Sequence, residues 1–212
     1  MGTTEIARIK KRSTRLSIAF LVLIGLNATA WFWGDYYVRL LLPIYQWSFE
    51  TLTPYFDIQS LRIEQENGER IVRIHAQTAG SRELAGRRVP DGIPVSGSTL
   101  TGHALQHVIL VFTTLFIWPF RAWWERGILV LLVVPGLLII EATDIPLVLA
   151  GALDDLLLAN YDPDRSSSSL LVQGMNFMNN GGRIATSLIS AVLTVLVWQA
   201  AISYYLVPGR KH

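Results

Sequence analysis

Two histidines and two carboxylates form the one ionisable constellation in this chain whose spacing suggests chemistry. His103 and His107 are four residues apart and Glu141 and Asp144 are three apart, so each pair shares a face if its segment is helical. Turned toward each other, the faces make a set of two imidazoles and two carboxylates, which suits a divalent metal or a proton relay. The bland alternative is a polar patch in the outer leaflet, its members satisfying one another or headgroup water. An outer-face hydrolase built on the same residues is a third reading, although neither a nucleophile elbow nor a metalloprotease signature accompanies them. The sequence contains no cysteine, which closes thiolate catalysis, thiolate metal sites and disulfide frameworks.

The elements that must position these residues are membrane spans. Four long apolar segments take up nearly half of the 212 residues, and several of the seven Trp and seven Tyr lie at their ends. The expected fold is a polytopic α-helical membrane protein: four transmembrane helices with a small extracytoplasmic α+β insertion of an interfacial helix and a β-hairpin. Spans are expected at 17–34, 103–120, 127–149 and 184–207, with a turn at 121–126 and outside segments at 35–102 and 150–183. Arg8, Lys10, Lys11, Arg12 and Arg15 before the first span, and Arg210 and Lys211 after the last, put residues 1–16 and 208–212 in the cytoplasm of a bacterial inner membrane. Ala28-Thr29-Ala30 resembles a cleavage site, but Trp31-Phe32-Trp33 continue the apolar run, which favours an uncleaved signal anchor. Asn27 in mid-span would seek a partner on a neighbouring helix, or simply make a packing contact, which is the favoured reading.

The second and third spans form a helical hairpin around Arg121, Trp123, Trp124 and Arg126, with Pro135 expected to kink the third. Counted from that connector at the helical rise, His107 and Glu141 each lie about 21 to 22 Å up, and His103 and Asp144 about 27 Å. The expected pairs are therefore His107 with Glu141 and His103 with Asp144.

Outside the membrane, Tyr36 to Phe56 has the spacing of an interfacial helix interrupted at Pro43 and Pro54. Residues 61–74 read as a hairpin about Asn67-Gly68, with Leu61 opposite Ile74 and Ile63 opposite Val72. Arg62, Glu64, Glu69, Arg73 and His75 line the other face. A lone hairpin is marginal, so its apolar face should rest on the interfacial helix, the membrane or a partner. Leu61, Ile63, Val72 and Ile74 are thus partner-binding candidates, joined by Arg87 and Arg88 in a Gly-, Ser- and Pro-rich loop from Thr78 to Gly102. The later outside segment is acidic; Asp162-Pro-Asp-Arg-Ser lacks the Gly and distal Glu of a calcium loop, and Met175 and Met178 suit packing better than copper. Ser187, Ala191 and Thr194 form a small-residue stripe on the last span.

An interfacial helix, a strand pair, a helical hairpin turning at "WPFRAWWERG", a Pro-containing span and "NNGGRI" opening the last span together resemble the exosortase and archaeosortase group of membrane transpeptidases. The likeness is one of layout and covers roughly residues 17 to 207. In that family a Cys, an Arg and a His carry transpeptidation; Arg183 and His103 or His107 echo two of these, and the nucleophile is missing. The resemblance therefore implies a non-catalytic accessory or scaffolding protein of envelope protein sorting, with no cofactor and with the bilayer and a membrane or extracytoplasmic protein as partners. The alternative is a small metal- or proton-handling carrier, four spans forming half of a homodimeric pathway. A net charge of +2 gives no reason to expect nucleic acid.

Overall fold

A computed structural model describes residues 2–120 and 122–206, except for the side chains of 2–16, 19, 82, 205 and 206. Arg121, the end of the last expected span and the basic C-terminal residues lie outside the described residues. The chain runs α1 (Gly2–Leu52), β1 (Phe56–Glu66), β2 (Glu69–Thr78), β3 (Arg82–Leu84), β4 (Arg87–Val89), β5 (Pro94–Leu100), α2 (Thr101–Ile117), α3 (Trp124–Tyr161), α4 (Pro163–Ser166), α5 (Leu170–Phe177), a π-helical turn (Met178–Gly182) and α6 (Arg183–Leu206).

α1 is a single helix where the sequence suggests a span and then a separate interfacial helix. Pro43 lies inside it and does not interrupt it, because Leu41, Tyr45 and Phe49 on either side are buried in the core. The helix ends where Pro54 disfavours helical backbone at Thr53, whose amide and hydroxyl both return to Phe49 O at 2.9 and 2.8 Å. Asn27 bonds its own helix, donating to Leu23 O at 2.7 Å.

The hairpin has the expected register, Leu61 opposite Ile74 and Ile63 opposite Val72. Its turn is left-handed at both centres, with φ of 51° at Asn67 and 84° at Gly68. It is longer than expected and has a third strand: β5 pairs antiparallel with β2, giving the order β1-β2-β5. The Thr78 to Gly102 segment is therefore mostly ordered rather than a loop. Its base is tied at Thr78, whose hydroxyl donates to Pro90 O at 2.8 Å and accepts from Ile93 N at 2.9 Å. Above that tie β3 and β4 form a small arm, anchored by buried Leu84 and Val89. A β-carbon at Gly97 of β5 would lie 3.2 Å from Leu153, which shows how closely the sheet sits on α3.

α3 continues through Pro135 and Pro146 to Tyr161, so much of the expected outer loop of 150–183 is helix. Two apolar clusters result. One joins the second half of α1 and the sheet to the C-terminal half of α3, through residues such as Tyr45, Phe49, Val72, Ile74, Leu149 and Leu153. The other joins α2, α3 and α6 through Val111, Leu115, Leu129, Val133, Ala191 and Val195. His107, Glu141 and Asp144 fall in sequence between the members that α2 and α3 give to each cluster, and so occupy a polar layer separating them.

Trp124–Tyr161 and Leu170–Tyr204 are long and apolar enough to cross a membrane, and Thr101–Ile117 is a shorter apolar helix. Leu131, Ile139, Leu193 and Val197 on these helices are exposed, as are Trp31, Phe32 and Trp33 on α1.

Candidate functional site

The polar layer is built from one side chain of α2, two of α3 and two of α6, with α1 closing it. His107, Glu141, Asp144 and Ser187 are all 0 % exposed, and Arg183 is 5 % exposed. Uncompensated, such burial of ionisable groups is costly; here nearly every polar atom has a partner.

Asp144 is the hub. Its Oδ2 lies 3.0 Å from His107 Nε2, and Arg183 Nε donates to Oδ2 at 2.8 Å and Oδ1 at 3.0 Å. Arg183 Nη1 donates to Asn179 Oδ1 at 3.0 Å, while Nη2 is buried without a hydrogen-bond partner. Arg183 reaches this position because the π-helical turn before it breaks the helical path: Asn180 is non-helical and Gly181 has φ of 103°.

On the other side of the imidazole, His107 Nδ1 lies 2.8 Å from Ser187 Oγ. An ionised Asp144 only accepts, so Nε2 carries a proton. Ser187 has one proton to give, either to Nδ1 or to Arg183 O, which lies 2.7 Å away. In the first case the ring is neutral; in the second Nδ1 is also protonated and donates to the hydroxyl.

Glu141 forms a separate unit. Tyr37 donates to Oε1 at 3.1 Å and Tyr45 to Oε2 at 2.8 Å, both reaching across from α1. Glu141 offers both phenols a carboxylate oxygen, so each tyrosine keeps its proton and acts as the donor. Nearby, the Ser48 hydroxyl donates to Ala142 O and ties the same two helices.

The expected four-residue set is thus divided. His107 pairs with Asp144 rather than Glu141, one helical turn from the expected partner. The cause is the connector: Trp118, Pro119 and Phe120 are not helical, and an extended residue rises about 3.3 Å against about 1.5 Å in a helix, which lifts His107. His103 is half-buried, with Nδ1 2.9 Å from Thr99 Oγ1 on β5. Among the described residues no group of three or more His, Asp or Glu side chains is placed to hold a metal ion. Arg183 already supplies a cation at the carboxylate such an ion would use.

The partner-binding candidates are also divided. Val72 and Ile74 are 0 % exposed and belong to the core, and Leu61 and Ile63 are half-buried against it. The chain's own helices cover the face that the sequence left open. Arg87 and Arg88 are exposed on the β3–β4 arm. Only the family resemblance sets Arg183 beside His103 or His107, and the sequence offers Ser187 only as part of a small-residue stripe and Tyr37 only for its helical spacing, while Tyr45 does not stand out; packing places all four in this layer.

Chemically, Ser187, His107 and Asp144 stand in the order of a hydroxyl, a base and an orienting carboxylate. Full burial of Ser187 and His107 keeps a substrate carbonyl from the hydroxyl, and Arg183 shares the carboxylate. What the arrangement does do is fasten four helices through charged and hydrogen-bonded contacts at one level. No family model matches the chain, and neither a curated protein nor a solved structure proves similar to it.

Proposed function

We propose that this chain is a four-span integral membrane protein of the bacterial inner membrane, a non-catalytic accessory or scaffolding subunit of an envelope protein-sorting system. Both termini are cytoplasmic, and the sheet-bearing body stands on the outer side. The observation that carries this reading is the pairing within the buried polar layer, in which Arg183, Asp144, His107 and Ser187 bind one another, with Arg183 Nη2 left unpaired, and present no accessible nucleophile. Such a layer fixes helix positions rather than turning over a substrate. The exposed apolar outer faces of α3 and α6 suit lipid. The β3–β4 arm, held by Leu84 and Val89 and carrying Arg87 and Arg88 outward, suits an acidic surface on a protein partner.

The test is recovery of partners from envelope membranes with the full chain, with Arg87→Glu combined with Arg88→Glu, and with residues 81–90 replaced by a Gly-Ser linker. Loss of the same co-purifying membrane protein in both variants is expected. Unchanged recovery removes the arm as the contact. Metal analysis of the same preparations decides the carrier reading: stoichiometric metal that disappears in His107→Leu with Glu141→Leu would favour it over scaffolding.

A further inference from the structure

A groove of about 660 Å³ opens where α1, the tip of the β1–β2 hairpin and the start of α2 meet. It is lined by the charged Asp35, Glu69 and Arg70, by the apolar Ala30, Trp31 and Ile109, and also by the polar Asn27, Gln65 and Thr101. The helices touch at Gly34, where a β-carbon would lie 2.5 Å from Leu105 Cδ1. Trp31 is 79 % exposed.

We infer that this groove seats an amine-bearing zwitterionic phospholipid, its headgroup at Asp35, Glu69 and Arg70 and an acyl chain along Ala30, Trp31 and Ile109. The inference rests on the membrane reading above, which puts Asp35 at the outer end of the first span. Two features favour this ligand. Along α1 the lining passes from Asp35 to Trp31 and Ala30 about one turn away, as a lipid passes from headgroup to chain, with Asn27 a polar side chain beyond them. The lining holds two carboxylates and one guanidinium, so it complements a ligand carrying both a phosphate and an ammonium better than one carrying only negative charge. Arg70 Nη1 is 2.9 Å from Asp35 Oδ2 and its side chain is 51 % exposed, which leaves guanidinium N–H groups for a phosphate oxygen. Glu69 is exposed beside it and accepts from the ammonium. A choline headgroup has no N–H to give, and a glycerol headgroup brings no positive charge.

The full-length protein is reconstituted in nanodiscs of equal parts phosphatidylethanolamine, phosphatidylcholine and phosphatidylglycerol, and the lipids retained after mild detergent extraction are weighed by native mass spectrometry. Retained phosphatidylethanolamine should exceed each of the others by roughly two- to fivefold, the scale of exposed charge pairs. Glu69→Lys, an exposed change that reverses the balance of charge in the lining, should turn the preference to phosphatidylglycerol. Ala30→Trp should lower retention of all three. Equal retention, or a preference that Glu69→Lys leaves unmoved, overturns the inference, as would dimer masses that Ala30→Trp abolishes, since a second copy would then fill the groove. Alkaline extraction of native membranes separates the two failures: release into the supernatant sinks the membrane reading itself, whereas retention without lipid preference sinks this inference alone.

Discussion

Arg183 and His107 meet on one oxygen: Nε of the arginine lies 2.8 Å and Nε2 of the histidine 3.0 Å from Asp144 Oδ2. A single carboxylate of α3 therefore joins α2 to α6. All three side chains are buried, so the contact is shielded from solvent and each member depends on the others.

Asp144→Asn should consequently destabilise the protein strongly. It keeps the shape but leaves the guanidinium buried without its counter-charge, at a cost of about 3 kcal/mol or more. Denaturant-induced unfolding in detergent micelles measures this. The double change Asp144→Leu with Arg183→Met removes both charges together and should recover most of the loss. A double variant no more stable than Asp144→Asn would show that charge isolation is not the cause.

The Glu141 unit gives a graded expectation. Tyr45 is 1 % exposed and donates at 2.8 Å, whereas Tyr37 donates at 3.1 Å from a half-buried position. Tyr45→Phe should therefore cost more than Tyr37→Phe, the former about 1 to 2 kcal/mol by the scale of buried hydrogen bonds. The two losses should not add, because both phenols serve one carboxylate. Equal and additive losses in the same unfolding assay would separate the tyrosines from Glu141.

Two glycines of α3 should respond in opposite directions to alanine. A β-carbon at Gly151 would lie 2.5 Å from both Leu171 O and Met175 Cβ, so Gly151→Ala must push α5 off α3, at about 1 to 3 kcal/mol. Gly127 is exposed in the same helix, and beyond its own local backbone nothing among the described residues lies within 4 Å of its would-be β-carbon. Gly127→Ala should stabilise through helix propensity, by up to about 1 kcal/mol, the helix-interior value, since Gly127 lies in the first turn. Thermal midpoints in detergent that move the same way for both would contradict the close α3–α5 packing.

What could be read from the sequence follows the range of the interactions involved. The hairpin register is local: Asn67-Gly68 fixes the turn, and the turn fixes Leu61 against Ile74. The depth of His107 depends on how residues 118–120 travel, and assuming helix there displaced its partner by one turn. The third strand was hidden because Pro94-Val95-Ser96-Gly97-Ser98 has the composition of a loop; it becomes a strand by pairing with β2 and by Gly97 admitting Leu153. Arg183 and the tyrosines of α1 are 39 to 104 residues from the carboxylates they bind. No local pattern marks such contacts. Candidate titratable residues were visible in the sequence; their division into an Asp144 hub and a Glu141 unit was not.

Ser187 decides between a fastener and a reaction centre, since its hydroxyl beside His107 Nδ1 has the geometry of both. A fastening hydroxyl contributes a hydrogen bond and nothing more, so Ser187→Ala should cost about 0.5 to 1.5 kcal/mol and leave partner recovery intact. The buried hydroxyl should also fail to react with a fluorophosphonate probe in the folded protein, because the electrophile cannot reach it. Labelling that vanishes in both Ser187→Ala and His107→Ala would mean that the helices open around this layer and that the serine is activated by the imidazole. Such a result would replace scaffolding with acyl transfer, and Arg183 Nη2, buried and unpaired in the closed state, would be the first group to test for contact with the substrate.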